Sequence, residues 1–375
     1  MSQANSLIFI PDISGFTRFV NRTEEEHSGH IIAELLEILI DSNQLDMTLA
    51  EIEGDALFYY KHLSIPSLNE LMAQIEQMFI RFHSHLKRYE HQRICQCGAC
   101  STANQLTLKF IIHAGPIDFI QIKDLRKPYG KEVITAHRLM KNNVPNDEYV
   151  LFTHSALAAM QIKPTSLLHD SLDIAQTTQN TYEDIGVVSY DFLLLGPLKS
   201  QISAVPTIPY GKEIEKPYVG ELFIPQAPET VFPFIIDFKN RHLWNKDVDS
   251  LEYDEQKVNR AGTLHNCLIE HRELKFETVK SESHPEETYL YGERTADFPL
   301  GKELTAYFIL KSQDHGTRLR IELHPNIPPL LRWLFSPIIR FILNKQIHKL
   351  LNDIKNSLEA SLTSQSHSPP ELSEF

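Results

Sequence analysis

Apolar runs of strand length and apolar positions at helical spacing alternate through the first half of the chain. Leu7-Ile8-Phe9-Ile10 is broken at Pro11, and Ala56-Leu57-Phe58-Tyr59-Tyr60 is rich in strand-favouring aromatics. Asp12 is therefore expected to close one strand and Gly54-Asp55 to open another. Between them Ile31, Ile32, Leu35, Leu36, Leu39 and Ile40 recur at three- and four-residue spacing, which predicts a helix over residues 24–41. A second helix is expected from about Leu68 to His91, followed by a strand from Leu106 that ends at Gly115-Pro116.

The pattern changes after a polar stretch, residues 208–217, that holds two prolines and a glycine. Tyr218 to Ile224 reads as a strand, Ala227 to Ile236 as a short helix begun at a proline, and Asp237 to Trp244 as its continuation into a loop. Strand-like runs follow at 265–271, 288–292, 303–310 and 317–323, and then a long helix from about Leu330 to Leu362. The expected organisation is a domain over 1–207, a linker over 208–217, a second domain over 218–362 and a polar, proline-containing, disordered tail over 363–375.

Composition supports two cores. A chain of 375 residues exceeds the usual size of one hydrophobic core, and 42% hydrophobic residues supply material for two. The net charge of -13, with no Lys/Arg block, argues against nucleic-acid binding. The N-terminus lacks a basic region followed by an apolar run, so no signal peptide is expected and cytoplasmic residence is the default. Ile327 to Leu343 is apolar but contains Pro328, Pro329, Arg332, Pro337 and Arg340, which excludes it as a membrane-spanning helix.

Candidate chemistry sits at the strand ends. Asp12-Ile-Ser-Gly-Phe-Thr17 and Glu53-Gly-Asp55-Ala56 each place a carboxylate beside a glycine at the edge of an apolar segment. Two such carboxylates can share magnesium or manganese, which bind through one or two carboxylates plus substrate phosphates. Taken singly, each Asp is equally well read as a turn residue. A second candidate is the cysteine cluster: His91, Cys95, Cys97 and Cys100 could ligate a structural zinc, with a redox-active thiol pair or an inert loop as the alternatives.

A third block, Leu106 to Pro116 with His113 near its end, is followed by Tyr129-Gly130-Lys-Glu-Val-Ile134-Thr-Ala136-His-Arg138. In order and spacing the three blocks resemble the class III nucleotidyl cyclase domain, over roughly residues 5–205. The resemblance implies a ferredoxin-like fold, a homodimer with its sites built across the two subunits, and a nucleoside triphosphate as ligand. It puts Asp12 and Asp55 on the two metal-binding aspartates and Arg138 on the arginine that steadies the charge on the phosphates. Lys199 is the only candidate for a further phosphate-binding lysine. Ile134 departs from the pattern by occupying the place of the asparagine that orients the ribose, since it has neither donor nor acceptor. Glu51 and Lys127 fall on the base-recognition pair with their charges exchanged. Either they pair with each other, or Glu51 accepts from guanine while Lys127 donates to it.

Residues 218–362, with Ala227-Pro-Glu-Thr-Val-Phe232, Phe238-Lys-Asn-Arg-His-Leu-Trp244, Gly262 and Gly316-Thr317, resemble the SRPBCC superfamily, the helix-grip fold shared with START and polyketide-cyclase-like domains. That resemblance implies an antiparallel sheet, a long C-terminal helix and a cavity for an apolar small molecule or lipid. Phe234, Trp244, Tyr307, Leu334, Ile338 and Phe341 are the expected lining, together with Phe223, Leu304 and Ile342. Each is equally well read as core. His242, His265, His271 and Glu293 show no recognisable spacing and read as ordinary residues.

The expected fold class is α+β throughout. Three functions remain open: a nucleotide-binding sensor with weak or no cyclase activity coupled to an apolar-ligand domain, an active divergent cyclase, and a dimerising scaffold. Ile134 weighs against the second, the intact Asp pair against the third, and the first is the expectation.

Overall fold

β1 (Ser6–Ser14) is buried at all nine of its positions, so its sheet must be covered on both faces. The strand runs on through Pro11 to Ser14, two residues past the expected stop at Asp12. In this computed structural model the described residues are 5–164, 167, 172, 176–203, 207–269, 271–299 and 301–365. The chain divides into two compact units, Met1–Glu90 with Cys97–Val205, and His91–Gln96 with Pro206–Phe375.

The first unit continues with α1 (Phe16–Arg22), α2 (Glu25–Ile40), β2 (Thr48–Glu53), β3 (Ala56–Lys61), α3 (Leu68–Gln92) and α4 (Gly98–Thr102). Then come β4 (Thr107–Gly115), β5 (Asp118–Ile122), β6 (Leu125–Tyr129), α5 (Lys131–Leu139), β7 (Tyr149–Thr153), α6 (His154–Ala159), β8 (Gln176–Tyr182) and β9 (Gly186–Leu194). The sheet order is β2-β3-β1-β4-β7-β9-β8, antiparallel except for β4 beside β7. One face carries Ile8, Ile10, Phe58, Ile111 and Leu151, which pack with Val133, Ala136 and Leu139 of α5. In α3, Leu71, Ile75, Met78, Phe82, Leu86 and Tyr89 are buried at helical spacing. His85 ties α3 to Glu34 of α2 at 2.6 Å. β5 and β6 form a separate hairpin.

The second unit contains β10 (Tyr218–Ile224), α7 (Pro228–Ile236), α8 (Arg241–Trp244), β11 (Val248–Glu252), β12 (Leu264–Ile269), β13 (Arg272–Val279), β14 (Tyr289–Thr295), β15 (Glu303–Gln313), β16 (Gly316–Asn326) and α9 (Pro329–Gln365). Its seven strands form one antiparallel sheet, ordered β10-β16-β15-β14-β13-β12-β11. Two of them, β11 and β13, are absent from the strands expected from sequence, because Val248–Glu252 and Arg272–Val279 are too rich in charge for an apolar-run reading. α9 packs on β10 and β16 through Ile339, Leu343, Ile347, Leu351, Ile354 and Leu358. A Cβ on Gly220 would stand 2.4 Å from the Ile347 side chain, so glycine is what lets helix and sheet approach. The fold is α+β with antiparallel sheets and a long C-terminal helix, as expected. Most of the expected tail, 366–375, lies outside the described residues.

Candidate functional site

Asp12 lies on the central strand β1, opposite Ala56 of β3 on one side and Lys109 of β4 on the other. The Lys109 ammonium is 3.3 Å from Asp12 Oδ2 and also donates to the Met140 carbonyl at the end of α5 (3.2 Å). Burial pushes the Asp12 carboxyl up, against the pull of Lys109, and it remains above the usual carboxylate range.

Asp55 sits in the turn that joins β2 to β3, after Gly54, whose φ of 62° belongs to the left-handed region. Ile13 N–H donates to the Asp55 carbonyl (3.1 Å), which fastens this turn to the end of β1. Burial, and then the charge of Asp12, raise the Asp55 carboxyl to about 6. The two aspartates therefore lie close enough to sense one another. Lys109 completes the cluster and is the residue that sequence reading missed. Its signal was a single charge inside the apolar stretch Leu106 to Ile112.

A cleft of about 230 Å³ is lined by Gly15, Arg18, Arg22, Thr23, Gly98 and Thr102 among others. Two guanidinium groups on its wall suit an anionic occupant.

Glu51 and Lys127, expected to recognise the base, form an ion pair: Lys127 Nζ lies 2.6 Å from Glu51 Oε2, and the hydrogen bond and charge of Glu51 raise the Lys127 ammonium. His137 of α5 stacks on Phe58, with ring centroids 4.7 Å apart, and lies 3.0 Å from Glu53 and 3.8 Å from Glu51. Glu51, Glu53 and His137 thus form a half-exposed cluster with metal-ligand chemistry. Ile134 and Arg138 are both exposed on α5. Lys199 pairs with Glu148 at 2.5 Å, and Glu148 is also 3.3 Å from His83. Burial, helped by Lys199, drives the His83 imidazolium down to about 3.

Of the expected zinc ligands, Cys97 and Cys100 come together with His27, and His91 is not in that group. His91 is exposed at the end of α3, whereas His27 stands in the first turn of α2 and faces the cysteine loop.

In the second unit an apolar groove of about 450 Å³ runs beside the first half of α9, lined by Leu331, Phe335, Ile338, Ile339 and Ile342 together with Pro299, Gly301, Lys302 and Pro328. Of the expected lining residues, Ile338 and Ile342 are in this wall. Leu334 and Phe341 are instead exposed on α9, at 55% and 70%. Trp244 and Tyr307 are fully buried, and Phe234 is half-buried. Trp244 packs edge-on to Phe308, and the Tyr307 hydroxyl donates to the Lys280 carbonyl (3.2 Å). Both are core residues.

Four polar groups converge inside this unit. Arg241 makes a forked pair with both Glu293 oxygens, donates to the Tyr291 hydroxyl (3.2 Å) and faces His265 Nε2 (3.4 Å). His265 is also 3.3 Å from Glu293. Burial and the Arg241 charge hold the His265 imidazolium down to about 2, so the ring is neutral. Arg241 Nε, Trp244 Nε1 and His265 Nδ1 have no hydrogen-bond partner among the described residues. His265 and Glu293 stand 28 positions apart in sequence, on strands separated by β13, so no spacing announced them.

Residues 32–149 match a family model described as a protein of unknown function (DUF2652), and residues 220–359 match the model described as polyketide cyclase / dehydrase and lipid transport. The uncharacterized protein Rv2561/Rv2562 of Mycobacterium tuberculosis is 30% identical over 154 residues, 39% of this chain and 70% of that protein. Among solved structures, the guanylate cyclase domain of RhGC from Catenaria anguillulae in complex with GTP is 16% identical, with a TM-score of 0.35 over 52% of this chain and 97% of that one. TTHA0849 from Thermus thermophilus is 16% identical, with a TM-score of 0.31 over 39% of this chain and 99% of that one.

Proposed function

The chain belongs to the family of the uncharacterized mycobacterial protein Rv2561/Rv2562, and from that premise we propose that it is a cyclase-like signalling protein. In this reading the first unit binds a divalent metal and a nucleoside triphosphate with weak or no cyclase activity, and the second unit takes an apolar small molecule or lipid. The observation that carries it is the placing of the two carboxylates side by side: Asp12 lies opposite Ala56, the residue after Asp55, and the Ile13 N–H beside Asp12 donates to the Asp55 carbonyl (3.1 Å). Two anionic groups held together against their repulsion are stabilised by a cation, and magnesium or manganese bound by such a pair keeps positions for phosphate oxygens.

Ile134 argues for slow turnover. An aliphatic side chain at the ribose position removes one orienting hydrogen bond, a loss of about two to three orders of magnitude in rate. Arg138, exposed on α5, is available to the Asp pair of a second copy, so a homodimer completes the site. In the second unit the apolar groove beside α9 is the ligand site, in keeping with the lipid-transport description of the matched family.

A scaffold without nucleotide is the second reading, and Lys109 favours it: its ammonium already neutralises Asp12 without a metal. Calorimetric titration of the full chain with GTP and ATP in magnesium or manganese, with product assayed by mass spectrometry, separates the readings. Metal-dependent binding with little cyclic product supports the proposal, and binding with rapid product formation indicates a true cyclase. Absence of binding, or binding unaffected by Asp55→Ala, leaves the scaffold.

A further inference from the structure

The geometry points to a zinc site formed by His27, Cys97 and Cys100 that is independent of the nucleotide reading. His27 Nδ1 lies 3.3 Å from Cys97 Sγ and 3.6 Å from Cys100 Sγ. A tetrahedral zinc with ordinary Zn–N and Zn–S bond lengths holds such a nitrogen and sulfur about 3.6 Å apart. The three ligand atoms, one from each residue, all lie within 4.8 Å of one another, and all three residues belong to the first unit.

The surroundings are built for thiolates. Cys97 caps the short helix α4, and its sulfur accepts the backbone N–H of Cys100 (3.4 Å). Glu24, three residues before His27, accepts the N–H groups of Gly98 (3.1 Å) and Ala99 (3.0 Å). The one carboxylate therefore fixes the Cys97-x-x-Cys100 turn against the start of α2, where His27 stands. Burial acts to raise the Glu24 carboxyl, but these hydrogen bonds outweigh it and hold it below its usual value. A Cβ on Gly98 would come 3.2 Å from Glu24 Oε2, so glycine at this place keeps the turn and the carboxylate together. Such hydrogen bonds outside the ligand set orient ligands before the metal arrives.

The donor set selects the ion. Two sulfurs and an imidazole suit zinc and exclude magnesium or calcium, which take oxygen. An ion held there clamps α2 to the loop leading into β4. Binding releases the thiol protons to solvent and changes no oxidation state.

The test is the metal content of the full chain, purified in reductant and exposed to zinc, together with its cobalt-substituted spectrum. About one tightly held zinc per chain and intense thiolate-to-cobalt charge-transfer bands are expected. Cys97→Ser with Cys100→Ser abolishes both, His27→Ala removes tight retention, and Glu24→Gln weakens zinc binding about tenfold. His91→Ala and Cys267→Ser leave the stoichiometry unchanged. Should the cysteine variant fail to fold, the cobalt spectrum of the unaltered chain still decides. Absence of thiolate bands, zinc content unchanged in the folded double variant, or a disulfide within the cluster after exposure to zinc in reductant overturns the site.

Discussion

Lys109 and Asp12 face each other across the β1–β4 pairing, with ammonium and carboxylate 3.3 Å apart. A permanent cation therefore occupies one side of the carboxylate pair proposed above to hold a metal. With Asp12 buried, that contact stabilises the fold and also competes with any bound ion.

Lys109→Met is expected to cost about 3 kcal/mol of stability, because it leaves a buried carboxylate without its partner. Adding Asp12→Asn should recover most of that loss. Urea unfolding with and without manganese checks both statements, and the single variant should gain more stability from manganese than the unaltered chain.

Asp55 has a proton affinity above its ordinary one, 3.8 rising to about 6. The folded chain holds this proton more tightly than the unfolded chain, so the contribution of Asp55 to stability falls as pH rises through that window. Metal binding follows the opposite direction, because the ion must displace the proton. Manganese affinity should weaken progressively below pH 6 and level off above it. Manganese titrations across this range, repeated with Asp55→Asn, check the assignment, for the variant should lose both affinity and its pH dependence.

Ile134 is 51% exposed, so Ile134→Asn should leave stability within about 0.5 kcal/mol. If the ribose position is vacant of function for the reason argued above, the same variant raises cyclic nucleotide formation by about tenfold or more. Initial rates measured by mass spectrometry with GTP and ATP test this directly.

Glu293→Gln strands the Arg241 guanidinium in the interior of the second unit and is expected to destabilise it by about 3–5 kcal/mol. Arg241→Met with Glu293→Gln should be less damaging than Glu293→Gln alone. Thermal unfolding of the three chains gives the ordering.

Phe335 lines the groove beside α9 and is 42% exposed. Phe335→Arg should abolish binding of a fatty-acid or apolar-dye probe while changing the melting temperature little. Fluorescence titration of the full chain reports the first, and calorimetry the second.

Local order was largely legible. The strand Tyr218–Ile224 appears with its expected ends, and the helix expected over 24–41 is α2, Glu25–Ile40. Each depends on the repeat of apolar residues within one element, which the sequence states outright. β11 and β13 were not legible for the same reason, since their apolar repeat is interrupted by charge.

By itself, the sequence determined the elements whose apolar repeat is unbroken and the placing of Asp12 and Asp55 at strand ends, because these follow from spacing along the chain. Tertiary structure alone decided which side chains meet. Lys109 reaches Asp12 through strand register, His27 reaches Cys97 across 70 positions, and Arg241 reaches Glu293 across 52. Such contacts depend on which strands pair and how helices dock on them, and a pattern confined to one element carries no record of its neighbour.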